Sequence, residues 1–245
     1  MKYELLENPD CRGGDLILKN GSLVCSDSNE VFEIREEVCC FQNEFDEYSE
    51  SYDHCCKDDL QTAKTPAVIK KIFSNLARWK ARGVVCDLGC GDGYVISRID
   101  SDVRIGVDIS FEYVKRLPSD ILKVWSRIER LPIKDQCIDT IISTDVIEHV
   151  LDVEEYARQI TRIIKTDGKI LLAFPFEQDL DVYNHPIYIE KYKKYKFVHI
   201  RSITDRLIAE IFPNYKTNFE YIILDGMELM ELRPYPIKFV ELVKR

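Results

Sequence analysis

The sequence predicts an α/β protein, a mostly parallel sheet covered by helices on both faces and preceded by a small β-meander. Two patterns carry this prediction. From Val84 onward, short apolar strand candidates alternate with helical patterns, the alternation that builds a parallel sheet whose ligands bind beyond the carboxyl ends of its strands. Ahead of them, residues 16–34 alternate apolar and polar side chains on either side of Asn20-Gly21, the strongest short-range signal for a tight hairpin.

In chain order, Leu16-Ile17-Leu18 and Leu23-Val24-Cys25 flank that turn, and a third strand at 31–34 follows the turn Asp27-Ser28-Asn29. Residues 41–64 are acidic, with Phe41, Phe45, Tyr48 and Tyr52 interleaved, a composition that fits a linker or lid better than a regular element. Thr65-Pro66 reads as an N-cap and first helical residue, Ile69, Ile72, Phe73 and Leu76 form one apolar face, and Gly83 stops the helix. Strands are expected at 84–88, 104–109, 138–143 and 170–174, the last preceded by a helix carrying Tyr156, Ile160, Ile163 and Ile164. The chain is thereby divided into a meander (1–40), an acidic aromatic linker or lid (41–64) and a main domain (65–245). It contains no internal repeat.

A chain of 245 residues, 45% hydrophobic and 31% charged, can bury one sizeable core, and disorder is not the default reading. No apolar run approaches the roughly 20 residues that span a bilayer. The start, Met1-Lys2-Tyr3-Glu4, lacks the apolar stretch of a secretory signal, so a cytoplasmic location is expected. Nine cysteines, an odd number with vicinal pairs at Cys39-Cys40 and Cys55-Cys56, argue against a secreted disulfide framework. Cys86 and Cys137 lie in apolar runs and read as buried, inert thiols. The net charge of -9 is uneven: residues 1–60 hold 16 acidic and 5 basic side chains, the remainder 27 and 29. The acidity belongs to the N-terminal quarter, and whole-chain charge alone does not decide between an anionic metabolite and RNA as substrate.

The chemistry concentrates where the strand Val84-Val85-Cys86-Asp87-Leu88 runs into Gly89-Cys90-Gly91-Asp92-Gly93, with a helix pattern starting at Tyr94. Glycines at alternate positions permit a tight turn and let a ligand approach bare backbone. A second strand ends in Val107-Asp108, where a carboxylate can accept bonds from ribose hydroxyls. A dinucleotide fingerprint needs its third glycine where Tyr94 stands, which disfavours NAD. S-adenosylmethionine (SAM) has no phosphate, so the shorter glycine turn suffices for it.

At these residues the sequence resembles the class I SAM-dependent methyltransferases, specifically the small-molecule group called methyltransferase type 11. The resemblance rests on Asp87-Leu88-Gly89-Cys90-Gly91-Asp92-Gly93, Gly106-Val107-Asp108, Leu131-Pro132 with Ile138-Asp139, Asp145-Val146-Ile147-Glu148-His149, and Asp167-Gly168 before the strand ending in Pro175. It implies a Rossmann-like fold, a seven-stranded and mostly parallel sheet with an antiparallel last strand, and SAM as cofactor. Carried over, the cofactor-binding set is Asp87, Gly89, Cys90, Gly91, Asp108, Ile109, Ile128, Thr144 and Asp145. Gly89 and Gly91 would face the methionyl part, Asp108 the ribose diol and Ile109 the adenine face, while Thr144 and Asp145 would lie beside the methyl donor. Arg127 stands where the family has an acidic residue for the adenine amino group, so altered adenine contacts are expected, with the Ile128 backbone N–H still available to the ring.

Methyl transfer is an in-line displacement at a sulfonium that the cofactor has already activated, so the protein mainly positions and orients. An oxygen or nitrogen acceptor also loses a proton, for which histidine is suited. His149 is the first candidate and His199 the second, ahead of His54 and His185, and Glu148 is equally well read as a cap or brace for the next helix. No metal is expected at this site.

Toward the C-terminus, residues 188–201 interleave tyrosines with lysines, which reads either as a solvated helix face or as a cover that engages an anionic substrate. Ser202 followed by Asp205 resembles a capping box, and 237–243 reads as the final strand. The meander resembles the small zinc ribbon that precedes some methyltransferases, but Asn8 and Cys11 stand for the first knuckle and Cys25 and Ser28 for the second, too few donors for a tetrahedral zinc site. The reading that leads is a methyltransferase acting on a small molecule, anions among the candidates, with nucleic acid disfavoured and no membrane partner. An RNA base methyltransferase and a SAM-binding protein without turnover stay open, as does the oligomeric state.

Overall fold

The computed structural model describes residues 2–11, 13–42, 47–57, 67–176, 186, 199–222, 228–229, 233–234 and 237–245. The meander forms as expected: β1 (Leu16–Lys19), β2 (Ser22–Cys25) and β3 (Val31–Arg35) pair antiparallel. Asn20 and Gly21 both take positive φ, 50° and 81°, the backbone that a two-residue turn needs to match strand twist. A further strand, β4 (Val38–Cys40), returns from β3 through Glu36 and Glu37 and then runs parallel to a strand of the main sheet, β7 (Leu122–Trp125). The meander therefore continues the central sheet.

The remaining strands are β5 (Val84–Leu88), β6 (Val103–Asp108), β8 (Ile138–Thr144), β9 (Ile164–Pro175), β10 (Tyr215–Ile222), a short pair β11 (Glu228–Leu229) and β12 (Arg233–Pro234), and β13 (Ile237–Lys244). The large sheet has the order β1-β2-β3-β4-β7-β6-β5-β8-β9-β13-β10. Its last seven members are parallel except β13, which lies antiparallel between β9 and β10. This is the Rossmann-like sheet with one antiparallel strand that the sequence implied.

The helices are α1 (Glu47–Lys57), α2 (Ala67–Lys80), α3 (Phe111–Val114), α4 (Val153–Ile163) and α5 (Asp205–Ile211). Period-two alternation splits the strands between two cores. Cys86 and Leu88 face the core that holds Tyr156 and Ile160 of α4, while Val85 faces the one that holds Phe73 and Ala77 of α2. The meander joins the first core through Leu23 and Phe32.

Several local expectations are corrected. Residues 47–57, read as linker or lid, form α1. The glycine turn leads only to a 3-10 turn at Ile96–Arg98 in place of a helix from Tyr94, because the stretch before β6 is too short for a helix and its return. The cap of α5 is Thr204, whose hydroxyl accepts from Leu207 N–H at 3.1 Å, in place of Ser202. β4, β7 and β10 were not anticipated. The Thr65-Pro66 start, and all of the Tyr-Lys stretch 188–201 before His199, lie outside the described residues.

The loops that carry Asn8, Cys25 and Ser28 do meet. Asn8 Nδ2 donates to Ser28 Oγ at 3.2 Å and to Glu30 Oε2 at 2.9 Å, and Cys25 takes hydrogen bonds from Ser28 and Asn8. Amide, hydroxyl and thiol tie the two loops together there.

Candidate functional site

The cofactor-motif residues gather at the carboxyl ends of β6, β5 and β8, which lie side by side in the sheet. The glycine turn folds back onto β6: Gly89 N–H and Cys90 N–H both donate to the Val107 carbonyl, at 2.8 and 3.0 Å. Gly89, Gly91 and Gly93 all have positive φ, and a Cβ on Gly89 would run into Val146 of the loop after β8. Glycine at 89 is thus required twice, by backbone conformation and by the close approach of the neighbouring loop.

Two carboxylates organise the turn from beneath. Asp108, at the end of β6, accepts from Gly91 N–H and Ser110 N–H, each at 2.8 Å. Burial raises its pKa to about 6 against those favourable bonds. Asp87 accepts from the Ile96 N–H, and burial, then the neighbouring Asp108, push its carboxyl up to about 8. Its Oδ1 is buried without a hydrogen-bond partner among the described residues.

Ile109 follows Asp108, and its carbonyl takes the indole N–H of Trp125 at 2.8 Å. Ile128 opens a 3-10 turn just after β7, held by Ser126 Oγ, which donates to the carbonyls of Arg127 and Arg130 at 3.1 and 3.0 Å. Arg127, the departure from the family pattern, sits 4.0 Å from Glu129. Thr144 ends β8, and Asp145 turns the chain with φ 54° while its N–H donates to the Ala173 carbonyl at 2.9 Å.

Beyond Asp145, the loop carries Glu148 and His149, and His199 arrives from a remote part of the chain. The rings of His149 and His199 lie 4.7 Å apart in a T-shaped arrangement, and His199 Nε2 is 3.9 Å from Glu148 Oε1. Burial, then the neighbouring His199, hold the pKa of His149 well below its ordinary value, so its ring is neutral near pH 7. Glu148 is buried and does not cap the next helix; Asp152 does, accepting from Glu155 N–H at 2.8 Å.

Sequence reasoning missed the contribution of α1. Asp53 Oδ1 accepts from Ser110 Oγ at 2.5 Å and from Glu112 N–H at 3.1 Å, and Tyr52 meets His149 edge-on at 6.2 Å between ring centroids. One helix thus touches both the β6 end and the β8 end of the site. The available signal was a weak amphipathic pattern hidden by acidic composition.

Comparison with known proteins agrees with the fold. Residues 86–172 match the family described as a methyltransferase domain. A Mycobacterium tuberculosis protein named as a probable S-adenosylmethionine-dependent methyltransferase is 29% identical over 110 residues, 42% of this chain and 40% of that one. A ubiquinone biosynthesis O-methyltransferase of Rickettsia akari is 26% identical over 116 residues, 43% of this chain and 45% of its own. The chain spans less than half the length of either relative. Among solved structures, the Haloferax volcanii complex of the Trm112 methyltransferase activator with its candidate methyltransferase contains a chain similar at TM-score 0.61 and 18% identity, covering 83% of this chain and 100% of that one.

Proposed function

The chain belongs to the S-adenosylmethionine-dependent class I methyltransferases, and from that premise we propose that it methylates an oxygen or nitrogen atom of a small molecule, at the place where His149 and His199 meet. The observation that carries this reading is the meeting of these two imidazoles, 50 positions apart in sequence, at the carboxyl end of β8 with 4.7 Å between their rings.

The residues at the strand ends fit the cofactor. The buried Oδ1 of Asp87, without a partner among the described residues, suits the α-ammonium of the methionyl part, and a cation there favours the ionised carboxylate. Asp108 uses its oxygens on two backbone N–H groups, which fixes the carboxylate and leaves further lone pairs for the ribose diol. Ile109, after β6, and Ile128, after β7, are the candidates to contact the adenine ring, and Gly89 and Gly91 would offer bare backbone to the methionyl chain. When bound, SAM supplies a methyl group already activated on a sulfonium.

The chain's own contribution is to orient the acceptor and to exclude water. His149, neutral near pH 7 and in the loop that follows Thr144 and Asp145, has the His199 ring as its neighbour. Helix α1 packs against both ends of the site, through Asp53 on Ser110 and Tyr52 against His149. A helix packed there suits a small acceptor, and its exposed Glu50 opposes the approach of a polyphosphate backbone.

The test is transfer of labelled methyl from SAM, by purified protein, into pools of small metabolites and into total RNA. Label in the metabolite pool that falls at least tenfold in His149→Ala supports the proposal. Label confined to RNA would replace it with the RNA reading, and absence of transfer with tight SAM binding would replace it with a non-catalytic role.

A further inference from the structure

The loop after β8 and the segment at His199 bring together one carboxylate oxygen and two imidazole nitrogens, from Glu148, His149 and His199, all within 4.8 Å of one another. We propose that these three side chains hold a divalent first-row transition-metal ion, whose remaining coordination positions take the oxygen atoms of the methyl acceptor. This inference rests on the methyl-transfer reading, deepens it toward acceptors with a hydroxyl and an adjacent oxygen, and replaces the expectation that the site works without metal.

Donor chemistry sets the class of ion. Two imidazoles and a carboxylate suit zinc, manganese, iron or cobalt, whereas magnesium and calcium favour all-oxygen shells. Three protein ligands leave open positions for solvent or substrate, the mark of catalytic rather than structural sites. Bonds of about 2.1 Å to the ion imply donors roughly 3.0–3.5 Å apart. His199 Nε2 and Glu148 Oε1 already stand 3.9 Å apart, and the two rings meet at 81°, so modest side-chain rotations close the set around one point.

The backbone holds these ligands in place independently of any ion. Ile200 N–H donates to the Glu148 carbonyl at 3.0 Å, and His149 N–H to the Val146 carbonyl at 2.9 Å. The Arg201 guanidinium clasps the same loop, donating to the carbonyls of Ile147 at 3.5 Å, of Leu151 at 3.0 Å, and of Val150. His199, remote in sequence, is thus held against the β8 loop by the main-chain bond of Ile200 and the guanidinium of Arg201, the two residues that follow it, the positional precision that metal ligation requires. Glu148 is 1% exposed, and a dication beside it offsets the cost of keeping a carboxylate out of water.

In this arrangement the imidazole lone pairs bind the ion and do not act as the proton acceptor. An acceptor hydroxyl on the ion becomes more acidic and releases its proton to solvent. Its oxygen then forms the new O–C bond as the C–S bond breaks, and the electron pair of that bond stays on sulfur, neutralising the sulfonium.

The experiment titrates Co²⁺ into full-length protein stripped with a chelator, following visible absorption, and measures SAM affinity on the same samples by calorimetry. The expected result is one Co²⁺ per chain, without intense thiolate-to-metal bands, and at least a tenfold weaker Co²⁺ affinity in both His199→Ala and the bulkier His199→Asn. SAM affinity should change by less than about threefold in either variant, which also reports that they fold. Absence of Co²⁺ uptake by the wild type, or uptake unchanged in the His199 variants, overturns the proposal. So does thiolate absorption that disappears in Cys11→Ser, which would put the ion in the meander. Intact SAM affinity with no Co²⁺ uptake removes the metal site and leaves the methyltransferase reading standing.

Discussion

Replacing Asp87 by Asn should stabilise the ligand-free protein while weakening its hold on SAM. Burial and the nearby Asp108 raise the Asp87 carboxyl to about 8, against about 3.9 in an unfolded chain. With the folded value raised, stability is fully present below pH about 4 and is lost as pH climbs toward about 8, at about 1.4 kcal/mol per unit. At pH 7 the accumulated loss is about 4 kcal/mol. Asparagine keeps an oxygen for the Ile96 N–H and has no charge to bury, so it escapes that loss. Urea denaturation without SAM, repeated between pH 4.5 and 8.5, should show the gap between variant and wild type widening with pH and levelling near the top of the range. A gap that stays constant would refute the reasoning, because packing differences alone do not titrate. Calorimetry near pH 7.5 should show the variant losing about 1.5–3 kcal/mol of SAM affinity, since an amide cannot replace a carboxylate opposite an ammonium.

Asp108→Ala should weaken SAM binding by about 1.5–3 kcal/mol, read by calorimetry, and unchanged affinity in a folded variant would remove Asp108 from the ribose site. In the wild type the same carboxyl, raised to about 6, should make SAM affinity fall by up to about tenfold between pH 7 and pH 5 as its acceptor form is lost; a flat profile would exclude that coupling. Gly89→Ala combines a positive φ with a clash against Val146 and should cost about 2–4 kcal/mol in thermal or chemical unfolding. Asp53→Ala should release α1 from Ser110, seen as faster hydrogen exchange at residues 47–57 and a severalfold weaker SAM affinity; unchanged exchange would mean that the helix is held by its apolar contacts alone.

Wherever a local rule governs the backbone, the sequence could be read directly. Asn20-Gly21 gave the hairpin because only a turn with two positive φ values matches strand twist, and the glycines at 89, 91 and 93 marked the cofactor turn because other residues resist that conformation. Long-range pairing was not legible in the same way. β7 is four residues with no alternation, since Leu122, Lys123, Val124 and Trp125 are all buried, and period-two reasoning has nothing to detect there. Lys123 is buried because Glu37, distant in sequence, and the Lys115 carbonyl meet its ammonium at 3.1 and 3.2 Å. Helix α1 was hidden because its acids serve specific acceptor roles, as Asp53 does, where composition suggests only solvation. The candidate base His149 could be found from its motif, but its partnership with His199 and Glu148 depends on a chain crossing that no spacing rule encodes.

The junction of β4 with β7 determines what the molecule would be without its first forty residues. Every side chain of β7 is buried, so stripping away β4 would leave a strand, apolar but for Lys123, with an open row of N–H and C=O groups, the template on which sheets of different molecules join. The four N-terminal strands move the boundary of the sheet outward to β1, where Ile17, Leu18 and Lys19 are exposed and the lysine discourages further pairing. The meander therefore works as a terminator of sheet growth, and a truncated chain beginning at the main domain should self-associate even though every residue of the candidate cofactor site is still present.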